Sequence, residues 1–204
     1  MTLLSFYKVY GEKMEKLNEN DKAVCREIIK DPRLSDNKIS EITGIPVKTV
    51  NRKRKKLEQN NILNYLIHIE NGPEGTNKFG SKAQFIVTFR QGITRKIFYE
   101  NLKRVGFSYH EIKHVREASI GEYEGRLTLL LTIESRVQSD LLEVFNSDIV
   151  PKLQNMLGHE SIYETRVIYL HSDIIAMHNY IKGFNLDNGK IAKDWPDDKI
   201  YVWE

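Results

Sequence analysis

The sequence predicts an α+β chain in which a small helical domain precedes a domain of order βαββαβ, its antiparallel sheet ordered 4-1-3-2. Three observations carry this. Residues 17–60 repeat their apolar positions every three or four residues, broken by caps and one tight turn. Residues 83–170 change to period-two alternation in four segments, with two helical stretches between them. Between these regions, Asn71-Gly-Pro-Glu-Gly75 and the polar residues to Lys82 form the one clear linker.

Taking the elements in order, Leu3, Tyr7, Tyr10, Met14 and Leu17 recur at helical spacing and form an a/d-like stripe. The stripe is too short for a coiled coil and fits either a second subunit or the face of the next domain. Asn18 or Asn20 can cap the following helix, whose start is favoured by Glu19 and Asp21 and whose inner face is Val24, Cys25, Ile28 and Ile29. Pro32 ends it. Ser35 or Asp36 caps a short helix over Asp36 to Thr43, with Ile39 and Ile42 directed inward. Gly44 supplies the positive φ of a tight turn, and Ile45 plugs the corner.

Pro46 can then open a third helix, since the first helical residues need no N–H donor, and Asn60-Asn61 is a plausible stop. At about 100° per residue, Val47, Val50, Arg54 and Leu57 fall on one side. Lys48, Arg52, Lys55 and Lys56 fall on the other. From Pro46 to Asn60 there are six Lys/Arg and one Glu, a local excess larger than the whole chain's +3. Two helices joined by a Gly turn, the second with an apolar side and a cationic side, form a helix-turn-helix, whose second helix enters the major groove of DNA. Lys48, Thr49, Asn51 and Arg52, near the helix start, are expected at the bases; Arg54, Lys55 and Lys56 are expected to neutralise phosphates.

Ile62 to Ile69 alternates and reads as a strand leaving the helical domain. Beyond the linker, Ala83, Phe85, Val87 and Phe89 alternate as a first strand. A helix from about Thr94 to Val105 turns Ile97, Phe98, Leu102 and Val105 inward. A second strand covers roughly Ile112 to Tyr123, and a turn at Glu124-Gly125 leads into a third with Leu127, Leu129, Leu131 and Ile133 on one face. A helix from Ser139 to Leu157 is bent or broken near Pro151, and Ile162 to Leu170 is the last strand. The first and third strands are the most apolar, as central strands must be. After His171 the chain still holds Trp195 and Trp203, with Ile174, Ile175, Phe184 and Tyr201, so part of this tail is expected to dock on the body or on a partner.

Length and composition agree with a globular protein: 204 residues, 40% apolar and 29% charged. The single Cys25 excludes an internal disulfide. It sits between Val24 and Ile28 and reads as a buried thiol, not a nucleophile. No signal-peptide pattern and no apolar run of about 18 residues is present, and the expectation is a cytoplasmic protein with no membrane partner. His110-Glu-Ile-Lys-His114 spells H-E-x-x-H, but zinc chemistry needs that motif on a helix. Here it leads into a strand, where residues four apart lie roughly 13 Å from each other. No metal, cofactor or catalytic residue is expected.

Leu17-x3-Asp21, Gly44-Ile45, Val50, Arg52 and Leu57-Glu58-x3-Ile62 resemble the helix-turn-helix signature of the leucine-responsive/AsnC (Lrp/AsnC) family of transcription regulators. Tyr65, Phe79-Gly80 and Ala83 to Val87 resemble that family's connecting strand and first sheet strand. Gly121-Glu122-Tyr123-Glu124 resembles its Gly-Asp-Tyr-Asp turn, and Glu164-Thr165-Arg166 its closing strand. The likeness spans about residues 17–172. It implies a winged helix-turn-helix followed by a ferredoxin-like domain, through which members dimerise or octamerise and commonly bind an amino acid or similar effector at subunit interfaces. It also places effector binding near Gly121, Tyr123 and Glu124. Glu122 and Glu124 are each one methylene longer than the family's Asp. Arg54 stands at a position usually apolar, where its stem is expected to pack and its guanidinium to reach a phosphate.

The domain boundaries read as 1–16 for a helical extension, 17–63 for the helix-turn-helix, 64–82 for the connecting strand and linker, 83–172 for the ferredoxin-like domain and 173–204 for the tail. The function that follows is a sequence-specific, oligomeric, nucleoid-associated transcription regulator acting on double-stranded DNA, and not an enzyme. Two alternatives stand beside it. The siroheme decarboxylases resemble this architecture yet act on a tetrapyrrole, and a ligand-independent protein that compacts DNA would need the same basic helix.

Overall fold

The computed structural model describes residues 17–67, 69, 71, 75, 76, 78–106 and 113–202, apart from the Ala176 side chain. The stripe expected over residues 2–16, the His110-Glu111 half of the H-E-x-x-H run, and Trp203 lie outside them. The described residues of Met1–Ile67 and of Asp173–Glu204 form one unit, and those of His68–Ser172 the other. The tail, set apart on sequence, is therefore part of the helical unit.

That unit begins with α1 (Glu19–Lys30). Asn18 caps it in a reciprocal box: its Oδ1 accepts from Asp21 N, and its own N–H donates to Asp21 Oδ2. α2 (Asp36–Thr43) is capped by Ser35 and ends at Gly44, whose φ of 72° is left-handed. α3 (Val47–Gln59) follows, with Pro46 itself in the N-cap position. Val24, Ile28, Ile39, Ile45 and Val50 pack as one cluster. Two inward expectations are corrected. Ile42 is 49% exposed and Val47 40%, because α2 has only eight residues and Ile45, from the turn, fills the place beside Ile39.

The expected strand at 62–69 is also absent among the described residues. Ile62 and Leu63 donate their N–H groups to Leu57 O at 2.9 and 3.1 Å and pack in the helical core. That contact bends the chain out of the extended form, and Tyr65, Leu66 and Ile67 are left exposed.

The tail contributes two small hairpins, β5 (Ile175–Met177) with β6 (Tyr180–Ile181), and β7 (Leu186–Asp187) with β8 (Lys190–Ile191). Ile191, Ile200 and Val202 are buried against Cys25 and Leu57, with Leu17, Ile29, Tyr180 and Trp195 around them. The Tyr180 hydroxyl donates to Ile29 O at 2.8 Å, and Lys190 and Asp197 pair with Asp31 and Lys30 at the end of α1. Asn185, 1% exposed, accepts from Ile181 N and donates to Asn179 O, both at 2.8 Å, so this buried amide is satisfied. Ile174, Ile175, Phe184 and Tyr201 face outward.

The second unit holds a four-stranded sheet in the order β2-β3-β1-β4, the 4-1-3-2 arrangement. Its strands are β1 (Ser81–Phe89), β2 (Val115–Tyr123), β3 (Arg126–Ser135) and β4 (Ile162–Leu170), all neighbours antiparallel. β1 begins before the end of the expected linker: Lys82 already pairs with Glu134 and Leu170. Ala83, Phe85, Val87 and Phe89 meet Leu127, Leu129, Leu131 and Ile133 under the helices. α4 (Arg95–Val105), capped by Thr94 Oγ1, buries Phe98 and packs Leu102 and Val105 partly. Ile97, about 100° round from Phe98, is 37% exposed and not inward as expected.

α5 (Gln138–Val144) and α6 (Val150–Leu157) are joined without a break through a π-helical segment, Phe145–Ile149. Pro151 has no N–H to give the preceding turn, and the ladder widens just before it, with Val150 N donating to Phe145 O. Phe145 stacks on Phe85 with ring centroids 4.3 Å apart. The β2–β3 hairpin turns on Glu124 (φ 49°) and Gly125 (φ 71°), two left-handed residues that match the strands' twist.

Candidate nucleic-acid interface

The interface is built outward from the turn between α2 and α3. Ser40 Oγ donates to Ile45 O at 2.6 Å and Ile45 N donates to Thr43 Oγ1 at 3.3 Å, which ties both sides of Gly44 together. Ile45 is thereby held inside, and Pro46 O accepts from Thr49 N and Val50 N to start α3. Val50 and Leu57, at 0% and 2% exposure, hold α3 against the body.

The six cations of α3 divide into two sets. Lys48, Arg52, Lys55 and Lys56 are exposed, along one side of the helix. Lys53 is 7% exposed and reaches back to α1, its Nζ 2.7 Å from Asp21 Oδ1 and 2.9 Å from Asn18 Oδ1. Burial by itself would raise the Asp21 carboxyl. The Lys53 hydrogen bond, the Asn18 N–H and the Lys53 and Lys56 charges outweigh it and hold that carboxyl below its ordinary value.

Arg54 corrects an expectation. Its guanidinium does not reach out toward a phosphate: Nε lies 2.8 Å from Asp36 Oδ1, and Nη2 donates to Leu34 O at 2.7 Å. Nη1 donates to Tyr65 Oη at 3.3 Å. An arginine at an apolar position keeps its place by pairing its head group inside the domain. Thr49 and Asn51 flank the exposed side and are half-buried, and Asn51 Nδ2 donates to Asp36 Oδ2 at 2.7 Å. Ser35, Asp36, Asn37, Val47, Lys48 and Asn51 line a shallow open groove where α2 and α3 begin.

Sequence reasoning missed Lys53. The signal was its phase: at 100° per residue it falls about 40° from Leu57, at the edge of the buried side, and Asp21 waited in the preceding capping box. Cys25, 3% exposed, has its thiol pushed up to about 11 by burial and by the Asp21 charge, which leaves it protonated and unreactive near neutrality.

In the other unit, Gly121 pairs with Thr128, and Tyr123 with Arg126, next to the Glu124-Gly125 turn. Arg166 lies 5.5 Å from the Tyr123 ring centre and pairs with Glu164 at 3.0 Å. An exposed aromatic, a cation and a carboxylate thus meet near the turn. His114 is occupied structurally, its Nδ1 2.9 Å from Glu134 O and its ring beside Phe79. No group of three metal-ligating side chains occurs among the described residues.

Residues 17–64 match the family described as winged helix-turn-helix DNA-binding. No curated protein matches the chain. Among solved structures, it shares its fold with a transcriptional regulatory protein of Pyrococcus furiosus from the AsnC family, at TM-score 0.55 and 16% identity over 78% of this chain and 92% of that one. It is similar to E. coli AsnC at TM-score 0.55 and 14% identity, over 80% and 97% of the two chains. A Neisseria meningitidis transcriptional regulator solved in complex with L-methionine gives TM-score 0.53 and 18% identity, over 78% and 92%. The fold of the chain is that of the Lrp/AsnC regulators.

Proposed function

We propose that this protein is a DNA-binding transcription regulator that reads duplex DNA with α3 and senses an amino acid or similar small molecule. The observation that carries it is the sorting of charge on α3. Lys53 and Arg54 are turned inward on carboxylates, and Lys48, Arg52, Lys55 and Lys56 are left on one exposed side. Four cations on one exposed side are what a helix needs to lie among the phosphates of a groove. Lys48, Asn51 and Arg52, with Thr49 at the flank, meet base edges, and Lys55 and Lys56 meet phosphates. Arg54 serves from behind by holding Asp36.

Two copies, paired through the sheet-bearing unit, set two such helices into successive major grooves about 34 Å apart. Gly121, Tyr123 and Glu124, with Arg166 and Glu164 close by, supply the effector-binding surface, as the methionine-bound Neisseria regulator suggests for a protein of this fold. No helix among the described residues is long and apolar enough to cross a membrane. A cytoplasmic, nucleoid-associated protein without catalytic activity is the reading that fits.

Fluorescence anisotropy with duplex oligonucleotides at several salt concentrations tests it. Log K falls by about 0.9 per phosphate contacted for each tenfold rise in salt. A thermal-shift screen against amino acids tests the effector, since binding to the native state raises apparent stability.

A further inference from the structure

Asn51 stands at the edge of the exposed side of α3, in the groove where α2 and α3 begin. Its Nδ2 donates to Asp36 Oδ2 at 2.7 Å. An ionised carboxylate only accepts, so the Asn51 amide has one orientation available: nitrogen toward Asp36, Oδ1 away from it. Asp36 is held in turn by Arg54, 2.8 Å from its other oxygen, and Arg54 is anchored on Leu34 O. The Arg54 and Asp36 side chains are 17% and 20% exposed, well shielded compared with a surface ion pair. Asn51 Oδ1 and the second hydrogen on Nδ2 have no partner among the described residues.

We infer that the Arg54–Asp36 pair is a latch that fixes the Asn51 amide and makes Asn51 a reader of adenine that rejects guanine. The inference rests on the reading of α3 as the DNA-contacting helix. With one amide hydrogen committed to Asp36, Asn51 offers a donor and an acceptor side by side. Adenine presents the complement in the major groove, the N7 acceptor and the N6 donor. Guanine presents two acceptors, N7 and O6. To meet both guanine acceptors with donors the amide would have to turn over, which would set Oδ1 against the Asp36 carboxylate, and unturned it faces one of them with Oδ1. An asparagine with no such neighbour turns over freely; here the ion pair behind it removes that choice. Arg54 and Asp36 are positioning residues and touch no base.

The test is selection of preferred sites from a random duplex library by the full-length protein and two variants, with salt-dependent affinity for random duplex measured alongside. The wild type is expected to require adenine at one position of each half-site. Asn51→Ala loses that preference and no other. Asp36→Ala, with Asn51 intact, admits guanine there and lowers the adenine-to-guanine ratio by about tenfold.

Should Asp36→Ala fail to fold, the wild type decides with altered bases at the selected adenine. Purine, which lacks the N6 amino group, and 7-deazaadenine, which lacks N7, should each weaken binding by about tenfold. An unchanged adenine-to-guanine ratio in folded Asp36→Ala, or no loss with either altered base, overturns the latch while DNA binding stands. Failure of the wild type to bind random duplex with any salt dependence overturns the reading of α3 itself.

Discussion

The two units solve the same problem, covering a core, with different parts of the chain. The sheet-bearing unit draws its buried residues from one continuous stretch, Ala83 to Met156, in which β1 and β3 supply alternating apolar faces and three helices cover them. The helical unit cannot do this. Its three helices and the turn before the third yield a cluster of five buried residues, and the side of α1 and α3 that carries Cys25 and Leu57 buries Ile191, Ile200 and Val202 from the far end of the chain. A three-helix domain is small enough that its core is marginal. Here the cover comes from a segment more than a hundred residues away.

The contrast is broken most severely by ending the chain after Ser172. Burying an aliphatic side chain contributes about 1.5–3 kcal/mol, and three are removed together, with the Tyr180 hydrogen bond to α1. Calorimetry should show the helical unit's transition abolished or shifted far down while the sheet unit still unfolds cooperatively. An unchanged helical transition would mean that the tail only rests on the surface.

Next in size is Lys53→Ala, which leaves Asp21 largely buried without its cation and should cost about 3 kcal/mol. Lys55→Ala, on the exposed side of the same helix, should stay within about 0.5 kcal/mol. Urea unfolding followed by helical signal distinguishes them.

A smaller effect sharpens the comparison through pH. Asp21 and Asp31 both have carboxyls held below their ordinary values: burial raises each, and Lys53 beside Asp21 and Lys190 beside Asp31 outweigh it. A carboxyl depressed in the native state contributes stability above its unfolded pKa, about 3.9, and loses it as pH falls through the native value. Helical-unit stability should therefore drop below about pH 4, and Lys53→Met should flatten the part due to Asp21. If acid stability is the same in Lys53→Met and wild type, the Lys53–Asp21 pair is not the source.

Much of this was legible in the residues. Period-two alternation located β1 and β3 because both are buried on one full face, and the Asn18 and Ser35 caps and the Gly44 turn marked the helix ends. The sorting of α3 was readable from phase for Arg52 and Lys48. Arg54 falls on the correct side of the helix, but its partner is hidden, since nothing in a helical wheel reveals that Asp36, eighteen positions earlier, faces it. Ile62 to Ile69 misleads because alternation shows only that a segment could be extended. Hydrogen bonds from Ile62 and Leu63 to Leu57 O decide otherwise. The tail's target was unreadable for a related reason: Trp195 and Ile191 announce burial without an address.

The reading of α3 as the DNA-contacting surface is tested most directly by the double variant Lys48→Ala/Arg52→Ala, in anisotropy titrations against the wild type across a salt series. Expected is a native melting profile, weaker DNA binding, and a salt slope shallower by about 0.9 for each phosphate that the variant no longer neutralises. Unchanged affinity and slope in a folded double variant would contradict it.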